Sequence, residues 1–254
     1  MPTAITFEKI SQTFDTYTAV DGINLEIPAG KFVAVVGPSG CGKSTLLNLA
    51  AGLIAPTRGQ VSIFGEPLRG LNRRAAYMFQ QDALLPWKTV LENVGLGLRF
   101  RGTFTEAKAR QWVDRVGLAA FADKFPSQLS GGMRKRVAMA QCWIVDPDIL
   151  LMDEPFSALD VHTRTRMEGE LLDLWTGSPK TVLFVTHDLE EALSLSDEVV
   201  VLSAGPASRI IARHVIDLPR PRNLMDIRTD PHFAELYRKI WVQLKEEVLT
   251  SYSR

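Results

Sequence analysis

The chain has 254 residues, 46% of them hydrophobic, enough for one large domain or a core carrying a subdomain. Twenty-nine lysines and arginines balance 29 aspartates and glutamates, so the formal charge is zero; no basic field argues for nucleic acid and no acidic excess argues for disorder. Cys41 and Cys142 read as reduced thiols of a cytosolic protein, no apolar run approaches the roughly 18 residues of a membrane span, and the N-terminus lacks a signal-peptide pattern.

Residues 5–10 and 23–27 alternate apolar and polar side chains, which predicts half-exposed antiparallel strands. Pro28-Ala29-Gly30-Lys31 is a turn into residues 32–36, apolar throughout and read as a buried strand. Gly37-Pro38-Ser39-Gly40-Cys41-Gly42-Lys43-Ser44 follows, and residues 45–51 read as a helix stopped by Gly52. Two glycines with four residues between them, then Lys-Ser, make the pattern of a phosphate-binding loop. The glycines let backbone N–H groups curl around an anion. The helix start adds unpaired donors and the positive end of its dipole. Lys43 supplies a point charge for β- and γ-phosphates, and the Ser44 hydroxyl can ligate Mg2+. A glycine-rich turn without a ligand is the bland alternative, and the full context outweighs it. Within this loop the amides and Lys43 are expected to favour the Cys41 thiolate and raise its reactivity.

Residues 60–65 read as another strand, entered through Pro56-Thr57-Arg58-Gly59. The texture changes after about residue 83. Thr103-x-x-Glu106 resembles a capping box, and Ala109, Trp112, Val113 and Val116 recur at helical spacing, so the stretch to about residue 145 reads as a helical insertion. Near its end, Leu129-Ser130-Gly131-Gly132-Met133 precedes the basic helical start Arg134-Lys135-Arg136. Ser130 can cap that helix, and Gly131 and Gly132 allow close backbone approach. That makes a second anion-binding helix terminus. One nucleotide does not obviously need both. A second copy of the chain, lending this terminus to the first copy's nucleotide, would explain it; an ordinary capped helix is the alternative.

Buried strands return at residues 149–152 and 181–185, with a further one at 198–202. Runs apolar on both faces predict a parallel sheet covered by helices. Asp153-Glu154 closes the first of them. Beside a phosphate loop, Asp153 is placed to help hold a Mg2+ shell and Glu154 to act as general base on an attacking water; alone, the pair would read as a loop or a cap. Leu218-Pro219-Arg220-Pro221-Arg222 reads as a rigid basic link. Phe233, Leu236, Tyr237, Ile240, Leu244 and Val248 then form one helical stripe, expected to lie on the body of the domain in preference to a partner.

In order and spacing, these segments resemble the ATP-binding subunits of ABC transporters, from about residue 5 to 218. Gln80 in Tyr77-Met78-Phe79-Gln80 matches that family's Q-loop, Ser157-Ala158-Leu159-Asp160 its D-loop, and His187 its switch histidine. Phe14 lies where the family has an aromatic that stacks on adenine, with Tyr17 a weaker candidate. The resemblance implies an α/β fold: a phosphate-loop ATPase core with a mostly parallel sheet, an N-terminal antiparallel β subdomain and an inserted helical subdomain. Residues 1–218 would be the ATPase domain, with the insertion at about 83–145, and 219–254 a linker and amphipathic helix. It implies ATP and Mg2+, with two copies sandwiching two ATP molecules head to tail. Each site would take Gly37, Pro38, Ser39, Gly40, Cys41, Gly42, Lys43, Ser44, Thr45, Gln80, Asp153, Glu154 and His187 from one chain. Ser130, Gly131 and Gly132 would come from the other. Ser44, Gln80 and Asp153 would serve the metal; Glu154, His187 and Gln80 would serve hydrolysis, and Gln80 could report the γ-phosphate to a membrane partner.

Leu84-Leu85-Pro86-Trp87, Val90-Leu91-Glu92-Asn93-Val94, the segment 218–222 and Arg228-Thr229-Asp230-Pro231 with Phe233 are similar to the branch serving nitrate, sulfonate and taurine importers. Trp87 reads equally as core or as lining of a docking groove. The implied partners are a second, identical ATPase subunit, integral membrane permease subunits and, indirectly, a solute-binding protein, with no nucleic acid. The implied place is the cytoplasmic face of the inner membrane, peripherally. The rival is a soluble ABC ATPase that moves no solute. Two departures stand out: Met133 replaces the wider family's Gln, and Gln141-Cys142-Trp143 replaces the usual Arg-Ala-Leu, which puts that helix's charge pairing in question but removes no phosphate ligand.

Overall fold

A computed structural model describes residues 2–252. β1 (Thr3–Phe14) and β2 (Tyr17–Pro28) pair antiparallel across a tight turn. Their alternation turns Ile5, Phe7, Ile10, Val20, Ile23 and Leu25 inward, where all are buried. β3 (Phe32–Val36) is buried at every residue and runs into the loop before α1 (Lys43–Ala51). The chain returns to the first layer as β4 (Arg58–Ile63) and β5 (Glu66–Pro67), which gives the order β2-β1-β4-β5. β6 (Ala75–Met78) then opens the far edge of a second sheet.

α2 (Val90–Val94), α3 (Leu96–Phe100), α4 (Glu106–Arg115) and α5 (Gly131–Trp143) follow. They enclose a core of their own that includes Val90, Val94, Ala109, Val113, Val137 and Ile144. The capping box expected at Thr103 and Glu106 does not form. Gly102, at φ +69°, turns the chain after α3, and the Thr103 amide donates to the Leu98 carbonyl. The cap therefore falls two residues later, on Thr105, whose hydroxyl accepts from the Lys108 amide at 3.3 Å. A reciprocal box exists instead at Thr89 and Glu92, ahead of α2. Trp87 is 70% exposed and is not core.

β7 (Ile149–Asp153), α6 (Val161–Gly177), β8 (Thr181–Val185), α7 (Leu189–Leu195), β9 (Glu198–Leu202) and β10 (Ile210–Val215) complete the second sheet. Its order is β10-β9-β3-β8-β7-β6, parallel except for the antiparallel edge strand β10. Val33, Val35, Leu151 and Leu183 face α1 and the antiparallel layer. Ala34, Val36, Leu150, Met152 and Phe184 face the opposite helices. This is the expected α/β architecture, with its antiparallel layer and helical insertion. The loops after β3, β7 and β8 leave the sheet at one end, where such folds hold ligands.

The basic link after residue 218 is held against the body by its arginines. Arg222 is 7% exposed, and its Nη1 donates to the carbonyls of Leu193, Ser194 and Ser196 at 2.8–3.1 Å. Its Nη2 reaches the Ile216 and Leu218 carbonyls at 3.4 and 3.3 Å. The end of α7 leaves carbonyls without helical partners, and a guanidinium brings five donors in one plane. Burial pulls the Arg222 pKa down to about 10. Arg220 pairs with Asp197 at 2.9 Å and lies over the Trp175 ring. Beyond it, α8 (Pro231–Tyr252) buries Phe233, Leu236, Ile240 and Leu244 against the body, with Tyr237 and Val248 at the margin. No helix among the described residues is long and apolar enough to cross a membrane. Charge pairing on α5 is carried by Arg134 and Lys135 with Asp82, and by Arg136 with Glu170.

Candidate active site

The loop between β3 and α1 is shaped by Gly40 and Gly42, both in the left-handed region at φ +76° and +88°. At Gly42 a Cβ would sit 2.5 Å from the Val20 side chain, so the loop lies directly on β2. Lys43 is buried, and its Nζ donates to the carbonyls of Gly37 and Pro38 at 2.9 and 3.0 Å. The ammonium is thereby held over the loop rather than in solvent. Cys41 behaves otherwise than its sequence neighbours suggest. Its side chain is fully buried, against Gly37. Burial pushes the thiol pKa up, and the pull of Lys43 is the smaller effect. Cys41 is a core residue, and burial opposes the expected thiolate.

Ser44 opens α1 facing the end of β7. Its Oγ donates to Asp153 Oδ1 at 3.0 Å. The other carboxylate oxygen accepts from the Tyr77 hydroxyl at 3.3 Å. Burial raises the Asp153 pKa, the Ser44 hydrogen bond opposes it, and the adjacent Glu154 charge adds to the rise. Tyr77 is also raised, first by burial and then by Asp153, so its phenol stays a donor. Glu154 stands at φ +42°, unusual for a residue with a Cβ, and its amide is pinned to the Val185 carbonyl at 2.8 Å. That strained turn, of order 1–3 kcal/mol, aims the carboxylate back across the site. Glu154 Oε2 lies 3.0 Å from His187 Nδ1, and Gln80 Nε2 donates to it at 3.4 Å. Gln80 also reaches Ser157 Oγ at 3.4 Å. Its side-chain hydrogen bonds go to Glu154 and Ser157, not to Ser44 or Asp153.

Three residues outside the sequence-derived set shape this centre. Asp188 caps α7 by accepting from the Glu190 and Glu191 amides, which holds the chain just after His187. An acidic residue before Leu189-Glu190-Glu191 is a readable helix start. Arg164 donates to Asp188 at 3.0 Å and to the Leu159 carbonyl at 3.2 Å, joining the loop after β8 to the loop after β7. Tyr77 is the third. Neither Arg164 nor Tyr77 carries a signal that sequence alone would single out.

Ser130, Gly131 and Gly132 sit apart from this cluster. Ser130 Oγ accepts from the Met133 amide at 3.3 Å at the start of α5. A Cβ on Gly132 would meet Thr163 of α6 at 2.8 Å. Among the described residues, no hydrogen bond joins these three to residues 37–45. Phe14 and Tyr17 face each other at the β1–β2 turn, both about half exposed. The Tyr17 hydroxyl donates to the Gly40 carbonyl at 3.3 Å, so the weaker of the two candidates is the one touching the loop.

A phosphate loop whose serine bonds the strand-end aspartate, with a carboxylate–imidazole pair one residue further on, defines a phosphate-loop ATPase. The family model for ABC transporters matches residues 20–157. An uncharacterized ABC transporter ATP-binding protein of Methanocaldococcus jannaschii is 48% identical over 92% of this chain and 86% of its own length. A taurine import ATP-binding protein of Burkholderia pseudomallei is 42% identical over 91% of each chain. A nitrate import ATP-binding protein of Synechococcus elongatus is 41% identical, over 91% of this chain and 87% of its own. A bacterial ABC transporter cassette solved as a dimer, also in a post-hydrolysis state with ADP and Pi, superposes with a TM-score of 0.74 at 32% identity, covering 85% of this chain and 100% of that one. The chain belongs to the ABC transporter family, as an ATP-binding cassette that hydrolyses ATP.

Proposed function

We propose that this protein is the ATP-hydrolysing subunit of an importer, working as two identical copies against integral membrane permease subunits on the cytoplasmic face of the inner membrane. A solute-binding protein feeds the permease. The solute is a small anion or related compound such as nitrate, a sulfonate or taurine. The observation that carries the reading is the Glu154–His187 pair set beside the Ser44–Asp153 pair. The relatives named for taurine and nitrate import support the direction and the solute class, and they favour it over a soluble ATPase. Exposed Leu53, Leu71, Phe79 and Phe100 around one groove support a seat for a permease helix.

Each side chain has a part. Loop amides and Lys43 bind the β- and γ-phosphates. The Ser44 hydroxyl and Asp153 carboxylate are hard oxygen donors 3.0 Å apart, a pair that suits Mg2+, which takes few protein ligands and keeps water and phosphate oxygens. When bound there, the ion neutralises charge on the phosphate oxygens. Glu154 takes a proton from the attacking water. His187 holds that carboxylate through Nδ1 and offers its other ring nitrogen to the γ-phosphate. Gln80 steadies Glu154 and links it to the helical insertion. Ser130, Gly131 and Gly132 of the second copy close the site, so ATP holds the two copies together until it is cleaved.

Glu154→Gln tests the reading. The amide keeps the shape and removes the base. Phosphate release should fall on the order of 10²–10⁴-fold, ATP binding should persist, and an ATP-dependent dimer should accumulate in light scattering. Turnover within threefold of wild type, with only monomer present, would overturn it.

A further inference from the structure

We propose that Tyr77 is a positioning residue for Asp153, holding that carboxylate in the orientation in which it meets the metal; the proposal rests on the metal role just given to Asp153. Ser44 fixes one carboxylate oxygen only, Oδ1 at 3.0 Å. A carboxylate held at one oxygen still turns about its last torsion. The Tyr77 hydroxyl lies 3.3 Å from the second oxygen, Oδ2, and 3.3 Å from Asn48 Oδ1. Ser44 and Asn48 stand one turn apart on the same face of α1. Hydroxyl, carboxylate, phenol and amide thus close a ring of contacts that bridges α1, β6 and β7.

Strand register explains the reach. Tyr77 pairs with Leu151 across the β6–β7 ladder, so its long side chain extends two positions along β7 to Asp153. The ring itself is stacked on Phe79, centroids 4.3 Å apart and planes at 28°, which fixes the direction of the hydroxyl. Phe79 and Tyr77 also line the apolar groove with Leu53, Leu71 and Phe100. One residue therefore touches both the groove and the metal-side carboxylate.

The test compares Tyr77→Phe, Tyr77→Leu and Asp153→Asn in the full chain. Binding of Mn2+ to the ADP complex, read as loss of the signal of unbound Mn2+ in electron paramagnetic resonance, reports on the carboxylate without turnover. Tyr77→Phe keeps the ring and its stack, and should bind ADP alone as wild type does. It should bind Mn2+ about tenfold more weakly, the low end of the cost of removing an outer-shell partner. Tyr77→Leu should lose no more Mn2+ affinity than that. If Tyr77→Phe stays within twofold of wild type while Asp153→Asn has lost Mn2+, the positioning role is wrong and the metal reading survives. If Tyr77→Leu alone weakens Mn2+, the residue acts by packing and the proposal falls. If Asp153→Asn retains wild-type Mn2+ affinity, the metal reading fails and takes the proposal with it.

Discussion

Arg222 offers the sharpest measurement of what holds the C-terminal segment to the ATPase body. Replacing it with alanine removes the two N–H groups of Nη1, shared at ordinary length among the carbonyls of Leu193, Ser194 and Ser196, and the longer contacts of Nη2 to Ile216 and Leu218. Nη1 has two N–H groups to share among these three carbonyls, so at about 0.5–1.5 kcal/mol net per donor the short bonds come to roughly 1–3 kcal/mol. The carbonyls left behind face a dry interior, which adds to the loss, while the cost of burying a guanidinium, visible in its lowered pKa, is recovered and subtracts from it. A net of about 2 kcal/mol follows, which for a chain of this size lowers Tm by roughly 4–8 °C. Arg222→Met restores apolar volume but no donors and should recover only part of it. Differential scanning calorimetry reads the shift, and amide exchange at residues 193–196 reads its location. A Tm change under about 2 °C in the alanine variant, with exchange at those amides unaltered, would show that the carbonyl bonds contribute nothing to the tail's docking.

Native Cys41 should react with N-ethylmaleimide at least about 100-fold more slowly than in the urea-unfolded chain, because its thiol is buried; fast native labelling of Cys41, read by peptide mass mapping, would contradict the packing around Gly37. Glu191 is buried and its pKa is raised from 4.5 to about 7, first by burial. The folded state therefore keeps a proton that the unfolded chain releases, and stability falls as pH rises from about 4.5 to 7. Glu191→Gln should flatten that decline by about 2–3 kcal/mol between pH 5 and 8, measured by urea unfolding; parallel curves for the two proteins would refute it. A mixed dimer with Lys43→Ala in one copy and Ser130→Arg in the other should trap nucleotide at one site, and with both changes in the same copy at neither; identical trapping would return Ser130 to a helix cap.

The parts legible in the sequence are those whose chemistry is local. Gly37 to Ser44 declare themselves because strand, turn and helix lie within twenty residues, and Asp153-Glu154 because a buried strand ends on them. Apolar spacing was enough to lay the stripe of α8 on the body. What the sequence hid depends on distant neighbours. Lys43 beside Cys41 suggests a thiolate, but the desolvation that opposes it comes from a core assembled out of other strands. Arg220 and Arg222 show in the sequence only as basic residues of a link, and their partners at the end of α7 lie more than twenty positions away. Tyr77 meets Asp153 across 76 positions of chain, and only the β6–β7 register brings them together. The misplaced cap at Thr103 is a smaller case, in which a single turn at Gly102 moved a helix start by two residues.

The central place of β3 also has a consequence for how the chain is made. The Gly30 amide bonds the Thr181 hydroxyl 151 positions on, and the Phe32 amide bonds Asp197 165 positions on. Both flanking strands of β3 therefore leave the ribosome long after it does, at 5–20 residues per second a delay of roughly 8–30 seconds. During that interval the antiparallel layer can assemble from near neighbours, while an entirely apolar strand and the phosphate loop attached to it wait without a sheet. The core around β3 therefore closes only once the C-terminal third of the chain has been made.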